Sequence, residues 1–223
     1  MSAAPILKSL KAVADKKILA AWKAQGHSSS DTVLGVSHPS LKEVAKKHKK
    51  DATSLDELWA SGVHEARLLA VMLEDPKKIT SDKIRARMAD VKSADLADAW
   101  ADFVATTPFL DQFLAMWCDG DSEMAKRCGF RLLIAKLMND KRNPDGYYEK
   151  YLKQVEEELS DDGPWARESM LNAFIAIGTR NPSLNRKAVE IAKRLPILPG
   201  PNLSEAPNPL TVLTDPKIVF RSR

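Results

Sequence analysis

Residues 42–50 hold five lysines, Lys42, Lys46, Lys47, Lys49 and Lys50, against a single acid, Glu43. On a helix Lys42 and Lys46 share a face, and so do Lys46 and Lys50. Ammonium groups spaced in this way can neutralise successive phosphates of a nucleic acid, and they can equally form a solvated helix face. Farther on, His64, Glu65 and Arg67 bring an imidazole, a carboxylate and a guanidinium into four residues. No second histidine stands at metal spacing, so this group reads as a helix start, with Arg67 either bridging neighbouring elements or facing a groove. Arg127 and Arg131 lie one turn apart on a common face, and Glu123 precedes Arg127 at ion-pair spacing. Residues 156–162 invert the pattern of 42–50, with Glu156, Glu157, Glu158, Asp161 and Asp162 and no base. One end of the molecule is therefore expected to be basic and another stretch acidic.

The two cysteines, Cys118 and Cys128, form neither a CxxC pair nor a Cys/His cluster. No metal site or cofactor is expected from them, and two free thiols suit a reducing, cytoplasmic setting. The net charge of +4 permits an anionic partner without requiring one. There is no apolar leader and no 18-residue apolar stretch, so a cytoplasmic protein without a membrane anchor is expected.

The elements that must position these groups are helices. Hydrophobic residues make up 44% of the 223 and charged residues 29%, a globular balance. Apolar residues recur at helical spacing through most of the chain, and no stretch alternates as a strand would. The spacing predicts a first helix over 5–24, buried through Ile6, Leu10, Val13, Ile18 and Trp22 and ended by Gly26. Ser37 is a cap and Pro39 a first-turn residue for a helix running to about residue 50. Further helices are predicted over 54–60, 64–74, 81–89, 94–106, 109–118, 122–139, 146–159, 164–178 and 184–194. Some are apolar on one face and others nearly all round, the alternation that a stacked array of outer and inner helices needs. Trp22, Trp59, Trp100 and Trp117 are spaced as core residues. The expected organisation is one all-α domain over 1–194 and an irregular, proline-rich tail over 195–223.

Four segments resemble the AlkD-like DNA alkylation repair proteins, the HEAT-repeat DNA glycosylases and their relatives. They are Gly35-Val36-Ser37 with Leu41-Lys42 and the lysines after it; Leu58-Trp59 leading into Gly62-Val63-His64-Glu65-Ala66-Arg67; Ala125-Lys126-Arg127-Cys128-Gly129-Phe130; and Ala176-Ile177-Gly178-Thr179-Arg180-Asn181. They occur in the family's order and cover about residues 30–195. The resemblance implies a curved solenoid of stacked antiparallel helix pairs whose basic concave face grips double-stranded DNA as a monomer. It also implies N-glycosylase chemistry on alkylated or distorted DNA, or DNA binding without it. An alkylated purine is already cationic while bonded to the sugar and leaves as a neutral base, so it needs little acid catalysis, and the barrier lies in an oxocarbenium-like sugar that a carboxylate stabilises. A helical scaffold that binds a protein partner along its concave face is the other class the architecture allows.

Carried onto this chain, the family's tryptophan–aspartate element matches Ala94-Asp95-Leu96-Ala97-Asp98. Asp98 then stands at the aspartate position and Ala94 at the tryptophan position. A competing register would put Trp100 and Val104 there. The family's arginine falls on Arg127, which would hold a phosphate or orient Asp98, and the second cleft tryptophan falls on Asn172. The implied catalytic pair is Asp98 and Arg127. The implied DNA contacts are Lys42, Lys46, Lys47, Lys50, Arg67, Arg131, Asn172 and Arg180.

Overall fold

The computed structural model describes residues 3–25, 27, 29–49, 55–140, 142–201 and 208–220. Lys50 and Gly26 lie outside the described residues. Among those described there are thirteen helices and no strand, only an isolated parallel bridge between Thr32 and Val63. None of the helices is long and apolar enough to cross a membrane. Backbone contacts cluster into two compact units, Met1–Phe109 and Leu110–Arg223.

The first unit holds α1 (Ala4–Ala12), α2 (Lys16–Ala24), α3 (His38–Lys47), α4 (Leu55–Ala60), α5 (His64–Leu73), α6 (Ser81–Met88) and α7 (Ala94–Val104). The second holds α8 (Leu110–Cys118), α9 (Glu123–Asn139), α10 (Asp145–Glu158), α11 (Pro164–Gly178), α12 (Pro182–Ala192) and α13 (Pro209–Leu213). Most predicted helices end within a turn of where they are observed, because their caps are local. Ser37, Thr80, Ser122 and Asn181 each accept a backbone N–H two or three positions into the helix they start.

The single helix expected over 5–24 is two helices. Asp15 adopts extended backbone, its carboxylate caps α2 by accepting from Lys17 N, and its own N–H donates to Gly35 O at 2.9 Å. Gly35 sits at φ +79°, and a Cβ there would collide with Asp15 O, so only glycine lets the 34–36 loop lie against this break. The break turns Val13 and Ile18 outward, and Trp22 is half-buried where core packing was expected. The same loop is held from below by Glu65. Its buried carboxylate accepts from the backbone N–H groups of Leu34, Gly35 and Val36.

The core of the first unit centres on Trp59, Trp100 and Phe103, whose rings pack at 5.3 and 5.4 Å, with the Arg87 guanidinium over Trp59. In the second unit α9 packs on both α8 and α11. Gly129 permits the close approach of α8, since a Cβ there would strike the Trp117–Cys118 backbone. The segment expected to be an irregular tail contains α13. Asn208 caps it and Pro209 opens its first turn, and Leu213 is buried against Gly178 of α11.

Candidate nucleic-acid interface

Residues 1–50 carry ten lysines against Asp15, Asp31 and Glu43, so the chain's positive excess is concentrated there. The nine that are described, Lys8, Lys11, Lys16, Lys17, Lys23, Lys42, Lys46, Lys47 and Lys49, are all exposed. Among the described residues, Lys46 alone of these pairs with an acid, Glu43 at 3.3 Å, and both partners are well solvated. Such a pair is weak and readily exchanged for a phosphate. α1 and α3 flank a groove of about 1010 Å³ with Lys8, Lys42 and Lys47 on its rim and Ala12 and Val44 among its apolar lining. Buried His48 fixes the two helices together through Ser9 Oγ at 3.1 Å.

A second cluster involves residues that the sequence placed elsewhere. Asp95 Oδ2 accepts from Trp22 Nε1 at 2.8 Å and pairs with His64 Nε2 at 2.9 Å. Burial disfavours charge on both groups, yet each holds the other's charged form. The Asp95 hydrogen bond and charge, with Glu65 and Asp31 nearby, raise the His64 pKa above its ordinary value. Burial opposes ionisation of Asp95, but His64, Ser93 and Trp22 together hold its carboxyl well below the usual carboxylate range. Trp22 also stacks on His27 at 5.3 Å.

Asp98 lies on α7 one turn beyond Asp95 and is half-buried, and Asp102 follows on the same stripe. Ala94, at the aromatic position, is buried. Trp100 is fully buried between Trp59 and Phe103.

In the second unit Arg127 is buried and does not pair with Glu123. Its Nη1 donates to Trp165 O at 2.9 Å and to Glu168 at 2.7 Å, and its guanidinium lies over the Trp165 ring. Glu123 is occupied in capping α11, where its carboxylate accepts from Trp165 N and fills the space beside Gly163. Arg131 is half-buried on α9 and Asn172 is exposed on α11. Two of the implied contacts are turned inward. Arg67 is buried and donates to Asp31, Trp59 O and Asp90 O. Arg180 is buried over the Tyr148 ring, with the Leu137 and Asp140 carbonyls as acceptors. Among the described residues no three His, Cys, Asp or Glu side chains are placed to hold a metal ion.

The sequence reading missed Trp22 and Asp95. The available signal was Asp15, a helix cap inside what looked like one helix, which displaces Trp22 from the assumed buried face.

A family model described as DNA alkylation repair enzyme matches residues 6–208. Among solved structures the chain is similar to one described as "a new family of proteins related to the HEAT-like repeat DNA glycosylases with affinity for branched DNA structures". The TM-score is 0.82 and the identity 20%, and the match covers 100% of this chain and 98% of that one. At that identity the likeness establishes the fold, an all-helical array of HEAT-like type. No curated protein matches.

Proposed function

The chain belongs to the DNA alkylation repair enzyme family, and from that premise we propose that it binds double-stranded DNA, with preference for distorted or branched forms, through the lysine surface of α1–α3. The observation that carries this reading is the set of nine exposed lysines on residues 8–49, nearly all without an acidic partner. Each lysine that neutralises a phosphate releases condensed counterions, so affinity is gained from charge density without base-specific contacts. The preference for branched forms is extended from the relative of the same fold, which is described as having that affinity. Lys42, Lys46 and Lys47 are the proposed α3 contacts, Lys50, outside the described residues, is a further proposed contact, and Arg131 and Asn172 are proposed contacts of the second unit. Arg67 and Arg180, engaged by protein acceptors, are left out. The protein acts as a monomer in the cytoplasm in this reading, with Cys118 and Cys128 both buried as free thiols.

The test is an anisotropy titration of labelled duplex and four-way-junction DNA over a range of salt. Tighter junction binding and a linear fall of log K with log salt are expected. Absence of binding to both at low salt rejects the proposal.

A second reading, excision of cationic alkylated purines, is favoured by Asp98. Its half-exposed carboxylate stands on an acidic stripe that suits a developing oxocarbenium ion. Against it, neither Ala94 nor Asn172 offers an aromatic wall, and the Arg127 guanidinium is tied to Glu168. Purine release from methylated duplex by the wild type, lost in Asp98→Asn, would establish excision. Release at the spontaneous rate would leave binding alone.

A further inference from the structure

Beside α2 lies a cavity of about 340 Å³ lined by Leu19, Trp22, Lys23, His27, Ser29 and Asp31. We propose that this cleft takes a single unpaired nucleobase of the bound DNA, stacked against the Trp22–His27 pair. The proposal rests on the DNA-binding reading above and gives it a physical source of preference for branched forms. The volume is at the lower end of the ~300–1,000 Å³ range of small-ligand sites, enough for one heteroaromatic ring system and not for a paired step.

α2 has no buried residue although most of its nine residues are apolar. Its indole is nevertheless fixed in place. Trp22 Nε1 donates to Asp95 Oδ2, and His64 holds the same oxygen. The ring is therefore oriented before any ligand arrives, and a flat partner does not have to immobilise it. His27 already lies nearly parallel to it, at an interplanar angle of 19°, so the pair forms a stacking platform. Base–aromatic stacking is tolerant of base identity, as recognition of an unpaired position without sequence preference requires.

Charge in and around the cleft fits one nucleotide. Lys16, Lys17 and Lys23 are exposed on the same helix and supply cations for the flanking phosphates. The Asp31 carboxylate in the lining does not repel them, because Arg67 Nη1 donates to both its oxygens at 2.7 and 2.9 Å. The Ser29 hydroxyl accepts from Asp31 N and retains its own proton for a base edge. A continuous duplex presents no free base face, whereas a bulge, gap or junction does.

The experiment uses two duplexes of one sequence, one fully paired and one with a single bulged 2-aminopurine. The wild type is expected to bind the bulged duplex about 10-fold more tightly and to change the emission of its 2-aminopurine. Trp22→Ala is expected to bring bulge affinity down to that of the paired duplex, a loss of about 10-fold, with paired-duplex affinity and salt slope unchanged. Trp22→Phe keeps a stacking ring without the N–H and is expected to retain part of the emission change, which covers the case in which the alanine variant fails to fold. Equal wild-type binding of both duplexes with unchanged emission overturns the base site and leaves DNA binding intact. Binding to neither duplex overturns both.

Discussion

Replacing Lys42, Lys46 and Lys47 together by alanine tests whether the α3 lysines touch phosphate or only water. All three are exposed, so stability should change by no more than about 0.5 kcal/mol. Each true phosphate contact contributes about 0.9 to the slope of log K against log salt. Three contacts make the wild-type slope steeper than the variant's by ~2.7. Between 50 and 200 mM salt the wild type should then lose ~40-fold more affinity than the variant. The two proteins converge at high salt, where the released counterions no longer matter. The assay is anisotropy on a fixed duplex at four or more salt concentrations. Lys77→Ala with Lys78→Ala, exposed in the α5–α6 connection, serves as a control for positive charge removed outside α3 and should leave the slope nearly unchanged. A triple variant whose slope and low-salt affinity equal the wild type's would show that 42–47 is a solvated face and would remove the central support for the DNA surface.

Three further outcomes follow from buried groups. Glu65→Ala leaves the N–H groups of Leu34, Gly35 and Val36 without their acceptor and should cost about 3 kcal/mol, read as a lower urea midpoint. Gly129→Ala pushes a methyl into the Trp117–Cys118 backbone and should cost at least the ~1–3 kcal/mol of an overpacked core, again by urea unfolding. The His64–Asp95 pair predicts a pH dependence of stability. His64 is raised above 6.5, so its contribution is complete below pH 6.5 and is lost as pH rises through the raised value. Asp95 is depressed below 3.8, so its contribution is complete above that pH and is lost only as pH falls through the depressed value. The Tm of the wild type should therefore be level across pH 5–6.5 and decline above it. Asp95→Asn should lower the plateau and flatten the alkaline decline, and an unaltered decline in that variant would assign it to other groups.

What the sequence made legible, here and in the fold, was local chemistry. Ser37 with Pro39 marks a helix start that the structure has at His38, and the helices capped by Thr80, Ser122 and Asn181, predicted from 81, 122 and 184, begin within two residues of those positions. The break at 13–15 had only Asp15 as its local signal, since alanine and lysine favour continuation and the break is fixed by a bond from Asp15 to Gly35, twenty residues on. α13 was hidden by its neighbours: a proline-rich stretch masked Asn208-Pro209, a sound cap and first turn, and the burial of Leu213 depends on Gly178. The site divides in the same way. A lysine-rich helix is readable from composition, and all its described lysines are exposed. Asp95 is unreadable as a hub because its partners, Trp22 and His64, stand 73 and 31 residues away. Arg127 shows how a local rule loses. Glu123 is one turn away and correctly spaced, but it is more valuable as the cap of α11, where the open N–H of Trp165 needs an acceptor. Arg127 donates to Glu168 and to the Trp165 carbonyl, 41 and 38 residues distant. A carboxylate, a carbonyl and an aromatic face of the second unit hold its guanidinium. To reach a phosphate it would have to give up both bonds and the Trp165 face, leaving the Trp165 carbonyl and the partly exposed Glu168 carboxylate without that donor.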